Sequence, residues 1–464
     1  MDHPAAPICS YRSLRVAILR LRPILLVFLV SSFQLALAAG LISTSSPPLF
    51  ILGASMVDAG QNAVAMPHRS YADFDPYGSD YFGKPVGRWS NGRNLMDFIT
   101  EGLGYGHIPA YLRSIGLDFT YGVNFASSGS TAANSTAVGN SSGGLFCLLV
   151  QVDQFRDFQD TILSSHYGLE QTARLRQRFS DAIYFFETGN NDYHDAKDQF
   201  GDSLDINATV TTTIAAMKVA FQTMYGLGAR TFIIMNATPT GCSPASLTSV
   251  DDDEELDENN CDAIWTNIVQ AHNKRLIELL DELRDNYPAA EWVLFDAYSI
   301  FMDGYLNSSK YGILYPFKSC CGAGGTYNFN ANVMCGRDAQ YINGTLVEWT
   351  KCENPKLHLS WDGIHPVESF AYYIAQGVLN GTHLIPSFSL KERVHSSVQS
   401  VCGQTQGRSI ILKARALHES HSWLHSASKE AMQGITCRVA KLPGSNGQSG
   451  CGWYCKEQGS VHGC

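Results

Sequence analysis

Five short apolar runs, separated by longer segments of helical character, constrain the fold of this chain. Short, mostly apolar runs are typical of parallel strands that are buried on both faces of a sheet. The runs are residues 48–53, 122–126, 182–187, 231–235 and 292–295. An amphipathic helix is predicted over residues 262–285, with one face formed by Trp265, Ile268, Val269, Leu276, Leu280 and Leu283. The alternation predicts an α/β fold with a doubly wound, mostly parallel sheet flanked by helices, whose ligand site lies beyond the carboxyl ends of the strands.

The first 39 residues have the composition of a targeting segment. Four arginines at positions 12 to 22 precede an apolar run, residues 24–39, that contains Ala36-Leu-Ala38 near its end. This pattern predicts a signal peptide, residues 1–39, that is cleaved near Ala38 or Ala39. A signal anchor is the alternative, but the polar residues within the run and its short length favour cleavage. We therefore expect a secreted protein whose folded domain occupies residues 40–389.

Glycosylation motifs agree with an extracellular destination. Asn-x-Ser/Thr sequons occur at Asn134, Asn140, Asn207, Asn236, Asn307, Asn343 and Asn380. Asn236 ends an apolar, strand-like run, so we expect it to be too buried to carry a glycan.

The 13 cysteines also suit an oxidising compartment. Cys242 is expected to pair with Cys261, and Cys147 is expected to stay unpaired. Two further disulfides are expected among the four cysteines of the late loops, which are Cys320, Cys321, Cys335 and Cys352. Metal binding is the competing interpretation, but the chain has no Cys-x-x-Cys pair and its histidine spacings near the cysteines are irregular. We therefore expect no metal site.

The formal net charge of −10 argues against nucleic acid as a partner. Residues 1–39 and 390–464 are both basic, so the region between them is more acidic than the chain as a whole. The acidic run 251–258 is expected to be a solvated loop, because it lacks the glycine that a calcium-binding EF-hand loop needs at its sixth position. The basic tail, residues 390–464, holds five cysteines and is predicted to be a small disulfide module, a disordered extension or sequence outside the domain. The oligomeric state stays open.

An acid and an imidazole lie three residues apart in the motif Asp362-Gly-Ile-His365-Pro. A carboxylate that accepts from one histidine nitrogen fixes the tautomer, and the other nitrogen can then take a proton from a serine hydroxyl. Ser55 is the candidate serine, because it follows the first predicted strand and Gly53, although serine at such a place also commonly caps a helix. The segment is not a Gly-x-Ser-x-Gly nucleophile elbow, since Val57 occupies the last position.

Two other predicted strands end in small polar residues. Gly129, in Ala126-Ser-Ser-Gly129, allows a close approach of the backbone to a substrate and can donate its N–H. Asn191, in Gly189-Asn-Asn191-Asp, can donate from its side-chain amide to a developing oxyanion. Each cluster taken alone is also typical of an ordinary turn.

Together and in this order, these blocks resemble the plant GDSL esterase/lipase family within the SGNH hydrolases. The resemblance covers about residues 47–385. It extends to the loop Asp75-Pro-Tyr-Gly, the segment from Phe82 to Arg93, Tyr311-Gly and the segment Cys320-Cys-Gly-Ala-Gly-Gly-Thr-Tyr-Asn328. It implies a flavodoxin-like three-layer sandwich and a secreted esterase that hydrolyses carboxylic esters of glycans, lipids or small metabolites, with no cofactor and no metal.

The resemblance also implies the roles of the site residues. Ser55 is similar to the family's nucleophile, His365 to its general base and acid, and Asp362 to the residue that orients the histidine. The backbone N–H groups of Ser55 and Gly129 and the side chain of Asn191 would form the oxyanion hole.

The chain departs from the family at one position beside the nucleophile. The family's first block reads Gly-Asp-Ser-Leu, whereas this chain has Gly53-Ala-Ser-Met56. Ala54 cannot accept the hydrogen bonds that a carboxylate would accept there, so we expect reduced or altered activity rather than none. The alternative is a non-catalytic secreted relative that binds an ester or a carbohydrate in the same crevice. A third interpretation, suggested only by the sequons, is a structural glycoprotein of the cell wall.

Overall fold

The computed structural model describes residues 46–67, 70–113, 118–134, 142–165, 168–250 and 256–394, together with the backbone of 436–443, 449–457 and 460–463. The predicted signal peptide, the sequon at Asn140, positions 251–255 of the acidic run and most of the basic tail lie outside the described residues. Residues 47–394 form one compact unit.

The unit is built around a six-stranded sheet. Its strands are β1 (Leu49–Gly53), β2 (Gly122–Asn124), β3 (Ile183–Glu187), β4 (Thr231–Met235), β5 (Glu291–Phe295) and β6 (Leu384–Ile385), in the order β6-β5-β4-β3-β1-β2. All neighbouring strands are parallel except β6, which is antiparallel to β5. The carboxyl ends of β1, β2 and β3 therefore meet at one edge of the sheet.

Helices cover both faces of this sheet. They are α1 (Gln61–Ala65), α2 (Leu95–Gly102), α3 (Leu148–Ser164), α4 (Leu169–Asp181), α5 (Asn190–Phe200), α6 (Ile206–Gly226), α7 (Pro244–Thr248), α8 (Ala263–Asn286), α9 (Ala297–Leu306) and α10 (Glu368–Leu379). Short antiparallel ladders pair Cys321–Gly322 with Thr350–Lys351 and Gln340–Ile342 with Thr345–Val347.

Two hydrophobic cores result from the alternation of side chains along the strands. Leu49 and Ile51 of β1 pack with α2, α9 and α10 on one face of the sheet. Phe50 and Leu52 pack with α3, α6 and α8 on the other face. The predicted α/β fold, a three-layer sandwich with a mostly parallel sheet, is confirmed.

The predicted elements agree closely with the observed ones. Each of the five predicted strands matches β1 to β5 to within two residues at either end. The predicted helix 262–285 corresponds to α8, which begins after Asp262, and the Asp262 side chain accepts hydrogen bonds from the backbone N–H groups of Ile264 and Trp265. All six residues of its predicted apolar face are buried. The sequence did not reveal β6, because two residues are too short for a periodic pattern.

The disulfide predictions are confirmed within the described residues. Cys242 pairs with Cys261, Cys320 with Cys352 and Cys321 with Cys335. Cys147 forms no disulfide with any described cysteine.

The described sequons differ in accessibility. Asn134, Asn207, Asn307, Asn343 and Asn380 are exposed. Asn236 is buried, as expected, and its side chain donates to Asp296 Oδ1 and accepts from the backbone N–H of Tyr298. Among the described helices, none combines the length and the apolar character needed to cross a bilayer.

A second unit comprises residues 1–46 and 395–464, and three of its strands are described. Thr436–Pro443, Ser449–Glu457 and Ser460–Gly463 form an antiparallel sheet in this order. The register pairs Cys437 with Cys455. The nature of the basic tail stays a prediction.

Candidate active site

Ser55 lies two residues beyond the end of β1 and is half-buried. The strand end before it is held tightly. Gln151 of α3 accepts from the Gly53 N–H and donates to the Gly53 carbonyl, both at 2.8 Å. A Cβ at Gly53 would lie 2.2 Å from the Glu187 carbonyl oxygen, so only glycine allows this approach of β1 to β3. The position of Ser55 therefore follows from the close pairing of these two strands.

His365 and Asp362 lie next to Ser55 although they are more than 300 residues away along the chain. The Nε2 atom of His365 is 2.8 Å from Ser55 Oγ, and its Nδ1 atom is 2.8 Å from Asp362 Oδ2. Both side chains are buried. The structure thus brings the three residues predicted as nucleophile, base and orienting acid into one continuous hydrogen-bonded row.

The turn 362–365 holds the Asp362 carboxylate in place. The backbone N–H groups of Ile364 and His365 donate to Asp362 Oδ1 at 3.0 and 2.8 Å. Burial alone would raise the pKa of Asp362, but the nearby His365 imidazole and these backbone donors hold that pKa below its usual value. Asp362 is therefore a carboxylate at neutral pH, which is the form that accepts from the histidine.

Tyr77 also contacts Asp362, and this role was not predicted from the sequence. Its buried hydroxyl donates to Asp362 Oδ2 at 2.8 Å. Burial and the adjacent Asp362 charge raise the pKa of Tyr77 well above its usual value, so the hydroxyl stays a donor. The only sequence signal was its place in the loop Asp75-Pro-Tyr-Gly. The Trp89 ring, centred 5.0 Å from the His365 ring, covers the imidazole.

Gly129 lies in a loop that is hydrogen-bonded to the end of β1. The N–H of Ser127 donates to the Gly53 carbonyl at 3.0 Å. Gly129 has a φ of 74°, and a Cβ there would lie 2.4 Å from the Ser142 carbonyl oxygen, so both conformation and space require glycine. Within the described part of the chain, neither the Gly129 N–H nor the Ser55 N–H donates to another protein atom. Both groups can therefore donate to a substrate.

Asn191 lies in the first turn of α5, which follows β3. One of its amide hydrogens is donated to the Ser130 carbonyl at 2.9 Å, next to Gly129 in the chain. A primary amide has two N–H donors, so a second donor is available to an oxyanion. Hydrogen bonds thus connect the three segments that carry the predicted donors Ser55, Gly129 and Asn191.

Two buried acids that the sequence reasoning did not assign hold the loop around Gly129. Asp58 accepts from the N–H of Ser128 at 2.8 Å, and Asp192 accepts from the N–H groups of Ala132 and Ala133 at 2.8 Å. Burial raises the pKa of Asp58 to about 6 and that of Asp192 to about 7, although the backbone donors oppose this. Asp192 could have been suspected because it adjoins Asn191, whereas Asp58 had no such signal.

Position 54 is buried, and its backbone is bound to β3. The N–H of Ala54 lies 3.0 Å from the Glu187 carbonyl oxygen and 3.1 Å from Glu187 Oε2. The peptide that joins Gly53 to Ala54 is thus held without a carboxylate at position 54.

No group of three or more His, Cys, Asp or Glu side chains among the described residues has an arrangement that could hold a metal ion.

Comparisons with known proteins give the family. The profile of the GDSL-like Lipase/Acylhydrolase family matches residues 49–378. The chain is 34% identical over 350 residues to the GDSL esterase/lipase ENOD8 of Medicago truncatula, which covers 74% of this chain and 88% of that protein. It is 31% identical over 379 residues to an esterase of Hevea brasiliensis, covering 81% of this chain and 95% of the relative. A GDSL esterase/lipase of Zea mays, named ACHE, is 33% identical over 70% of this chain and 84% of its own length. Because the family profile spans most of the chain and these relatives align over most of their length, the chain belongs to the GDSL-like lipase/acylhydrolase family.

Proposed function

We propose that the chain hydrolyses carboxylic esters with Ser55 as nucleophile, His365 as general base and acid, and Asp362 as the residue that orients the histidine. Membership in the GDSL family makes the chain a carboxylic ester hydrolase. The observation that carries the residue assignment is the row of two 2.8 Å contacts, from Ser55 Oγ to His365 Nε2 and from His365 Nδ1 to Asp362 Oδ2.

The reaction proceeds through an acyl-enzyme. Ser55 Oγ attacks the ester carbonyl carbon while its proton passes to His365 Nε2. His365 then gives this proton to the departing alkoxide, and the C–O bond to the alcohol breaks. A water molecule next loses a proton to His365 and attacks the acyl carbon. The Ser55 oxygen leaves with the proton from His365, which releases the carboxylic acid and restores the enzyme.

The negative oxygen of each tetrahedral intermediate needs hydrogen-bond donors that are already in position. The N–H groups of Ser55 and Gly129, which have no protein partner in the described part of the chain, and the second amide hydrogen of Asn191 serve this purpose. Buried polar side chains hold the segments that carry these donors, so the donors do not have to reorganise during the reaction.

The interpretation as a non-catalytic binding protein depended on Ala54 alone. The backbone beside the nucleophile is nevertheless held, because the Ala54 N–H donates to Glu187. The contact between Ser55 and His365 also favours a reactive serine over a purely binding role, because a binding site has no need for a base at 2.8 Å.

Secretion is part of the proposal. The predicted signal peptide, the exposed sequons and three disulfides support an extracellular or cell-wall location. Acyl esters of glycans, lipids or small metabolites are the proposed substrate classes.

Reactivity of the serine tests the proposed function. The secreted protein is treated with a fluorophosphonate probe and assayed on short acyl esters beside Ser55→Ala, His365→Ala and the control Ser164→Ala, which alters an exposed serine at the end of α3. We expect the parent and the control to label and to hydrolyse, Ser55→Ala to do neither, and His365→Ala to lose at least about 1,000-fold in turnover. A parent protein that neither labels nor hydrolyses any short ester would rule out the proposed function.

A further inference from the structure

Gln151, near the start of α3, has a side-chain amide that is fully buried between segments of the candidate site. Its Oε1 atom accepts from the Gly53 N–H at 2.8 Å. Its Nε2 atom lies 2.8 Å from the Gly53 carbonyl oxygen, 2.9 Å from Ser130 Oγ and 3.1 Å from the Phe146 carbonyl oxygen. The amide therefore contacts both the strand end before the nucleophile and the loop that carries Gly129.

The two hydrogen bonds with Gly53 extend the sheet beyond the end of β2. The register pairs Ile51 of β1 with Asn124, the last residue of β2, so Gly53 has no register partner in that strand. Gln151 accepts from the Gly53 N–H and donates to its carbonyl, as a neighbouring strand would. On the other side, Gly53 pairs with β3. The strand end is therefore held from both sides, two residues before Ser55.

Ser130 connects Gln151 with the candidate oxyanion donors. The hydroxyl of Ser130 contacts Gln151 Nε2, and its carbonyl accepts from the Asn191 side chain at 2.9 Å. Ser130 follows Gly129 directly in the chain and is only 1% exposed. One buried amide is thus hydrogen-bonded to the strand end that leads to Ser55 and to the residue that contacts the other two donor segments.

We propose that Gln151 is a positioning residue that sets the distance between the nucleophile and the oxyanion donors. This inference rests on the proposed function, because it concerns the same serine and the same donors. The Ser127 N–H also joins the two segments, through the Gly53 carbonyl. Gln151 in addition binds the Gly53 N–H and the Ser130 hydroxyl, so it restrains the orientation of both segments as well as their separation.

The chemistry of an amide suits this role. The group has a carbonyl acceptor and two N–H donors, and it carries no charge that would oppose a negative oxygen nearby. Methionine has about the same length and also fills buried space, but it has no N–H donor and its sulfur is only a weak acceptor. Replacement of Gln151 by methionine therefore removes hydrogen bonds with little change in volume.

Gln151→Met and Ser130→Ala test the inference, and Gln159→Met is the matched control. Gln159 lies in the same helix, is 6% exposed, and donates from Nε2 to the Leu227 carbonyl at 2.9 Å, next to the end of α6. Both methionine variants lose a buried amide, but only one of these amides contacts the site. The measurements are kcat and KM on a short acyl ester, the rate of fluorophosphonate labelling of Ser55, and Tm.

We expect Gln151→Met to lose about 10- to 100-fold in both kcat and labelling rate, with KM little changed, because the displaced donors act on the transition state. Ser130→Ala keeps the contacts with Gly53 and should lose about 3- to 10-fold in both rates. Gln159→Met should lower Tm and keep the parent rates. In the Ser130→Ala background, Gln151→Met should cost less than in the parent, because one shared hydrogen bond is already absent.

The inference is wrong if folded Gln151→Met keeps the parent kcat and labelling rate, or if Gln151→Met and Gln159→Met lower these rates equally. If Gln151→Met does not fold, Ser130→Ala decides, since parent rates in that folded variant would overturn the inference. A failure of the proposed function would look different, because the parent itself would then neither label nor hydrolyse the ester.

Discussion

At the scale of single residues, the candidate site is held by buried polar side chains. Asp58, Gln151, Glu187 and Asp192 each bind backbone groups in or next to the segments that carry Ser55 and Gly129. Such contacts fix direction as well as distance, which apolar packing cannot do because it has no directional preference. Pre-positioned donors stabilise a transition state without reorganisation.

Asn191→Ala should lower kcat by on the order of 100- to 1,000-fold, because the variant lacks one oxyanion donor. The matched control is Asn190→Ala in the same turn, whose side-chain oxygen has no hydrogen-bond partner among the described residues. Steady-state kinetics on a short acyl ester check both variants. Equal losses in the two variants would point to a damaged turn instead of a lost donor.

Tyr77→Phe should lower kcat by roughly 10-fold and leave KM nearly unchanged, since removal of one hydrogen bond to a charged group costs about 1.5 kcal/mol. The reason is that Tyr77 restricts the Asp362 carboxylate, which in turn orients His365. Tyr341→Phe, at a tyrosine that is 77% exposed, is the control. Turnover of Tyr77→Phe at the parent rate would show that the backbone donors to Asp362 are sufficient.

At the scale of elements, the site combines the ends of β1 and β3 with the turn 362–365, which precedes α10. The turn is connected to the disulfide-linked region before it. The N–H groups of Cys320 and Cys321 donate to the carbonyl oxygens of Ser360 and Trp361, at 3.0 and 2.6 Å. The disulfides of that region therefore help to hold the segment that carries Asp362 and His365.

Replacement of the Cys320–Cys352 disulfide by the pair Cys320→Ala/Cys352→Ala should lower both Tm and ester turnover. Loss of a disulfide that closes the loop from residue 320 to residue 352 lowers the free energy of unfolding by about 2 to 4 kcal/mol. Cys147→Ala, at a cysteine with no disulfide among the described residues, is the control and should match the parent. Thermal unfolding and initial rates at a fixed temperature measure the effect. A variant with a lowered Tm but full turnover would show that the disulfide stabilises the fold without positioning the site residues.

At the scale of the whole molecule, buried acids with raised pKa values make stability depend on pH. Burial raises the pKa of Glu187 to about 8, of Asp192 to about 7 and of Asp58 to about 6. Between the unfolded pKa values, near 4, and these folded values, the unfolded chain has released the protons that the folded chain still holds. The contribution of these acids to the free energy of unfolding therefore falls as the pH rises through this range. His194 and His272, whose pKa burial lowers to about 4, oppose this only up to about pH 6.5. The pKa of Asp362 is lowered, so the stability that this carboxylate contributes is lost only at acidic pH values below that range.

Tm should therefore decline between about pH 6.5 and pH 8, as measured by thermal unfolding at fixed ionic strength. Glu187→Gln removes one titrating group, so its Tm relative to the parent should increase as the pH rises from 5 to 8. Glu348→Gln, at an exposed glutamate, should follow the parent curve at every pH. A Tm that is constant or increases toward pH 8 would contradict the raised pKa values.

The amino-acid sequence by itself determined the strands β1 to β5, helix α8, the Cys242–Cys261 disulfide and the candidate residues Ser55, Asp362 and His365, because periodicity and short motifs are local properties. The pairing of Cys320 with Cys352 and of Cys321 with Cys335 was decided by the tertiary structure. Only the tertiary structure revealed the contact of Tyr77 with Asp362, across 285 positions, and that of Glu187 with Ala54, across 133. A hydrogen bond between distant residues leaves no pattern in one sequence, since it depends on how β1 and β3 pair and where the turn 362–365 packs. The absent acid at position 54 was visible in the sequence, whereas the buried carboxyl that faces the Ala54 N–H follows from the packing of two strand ends.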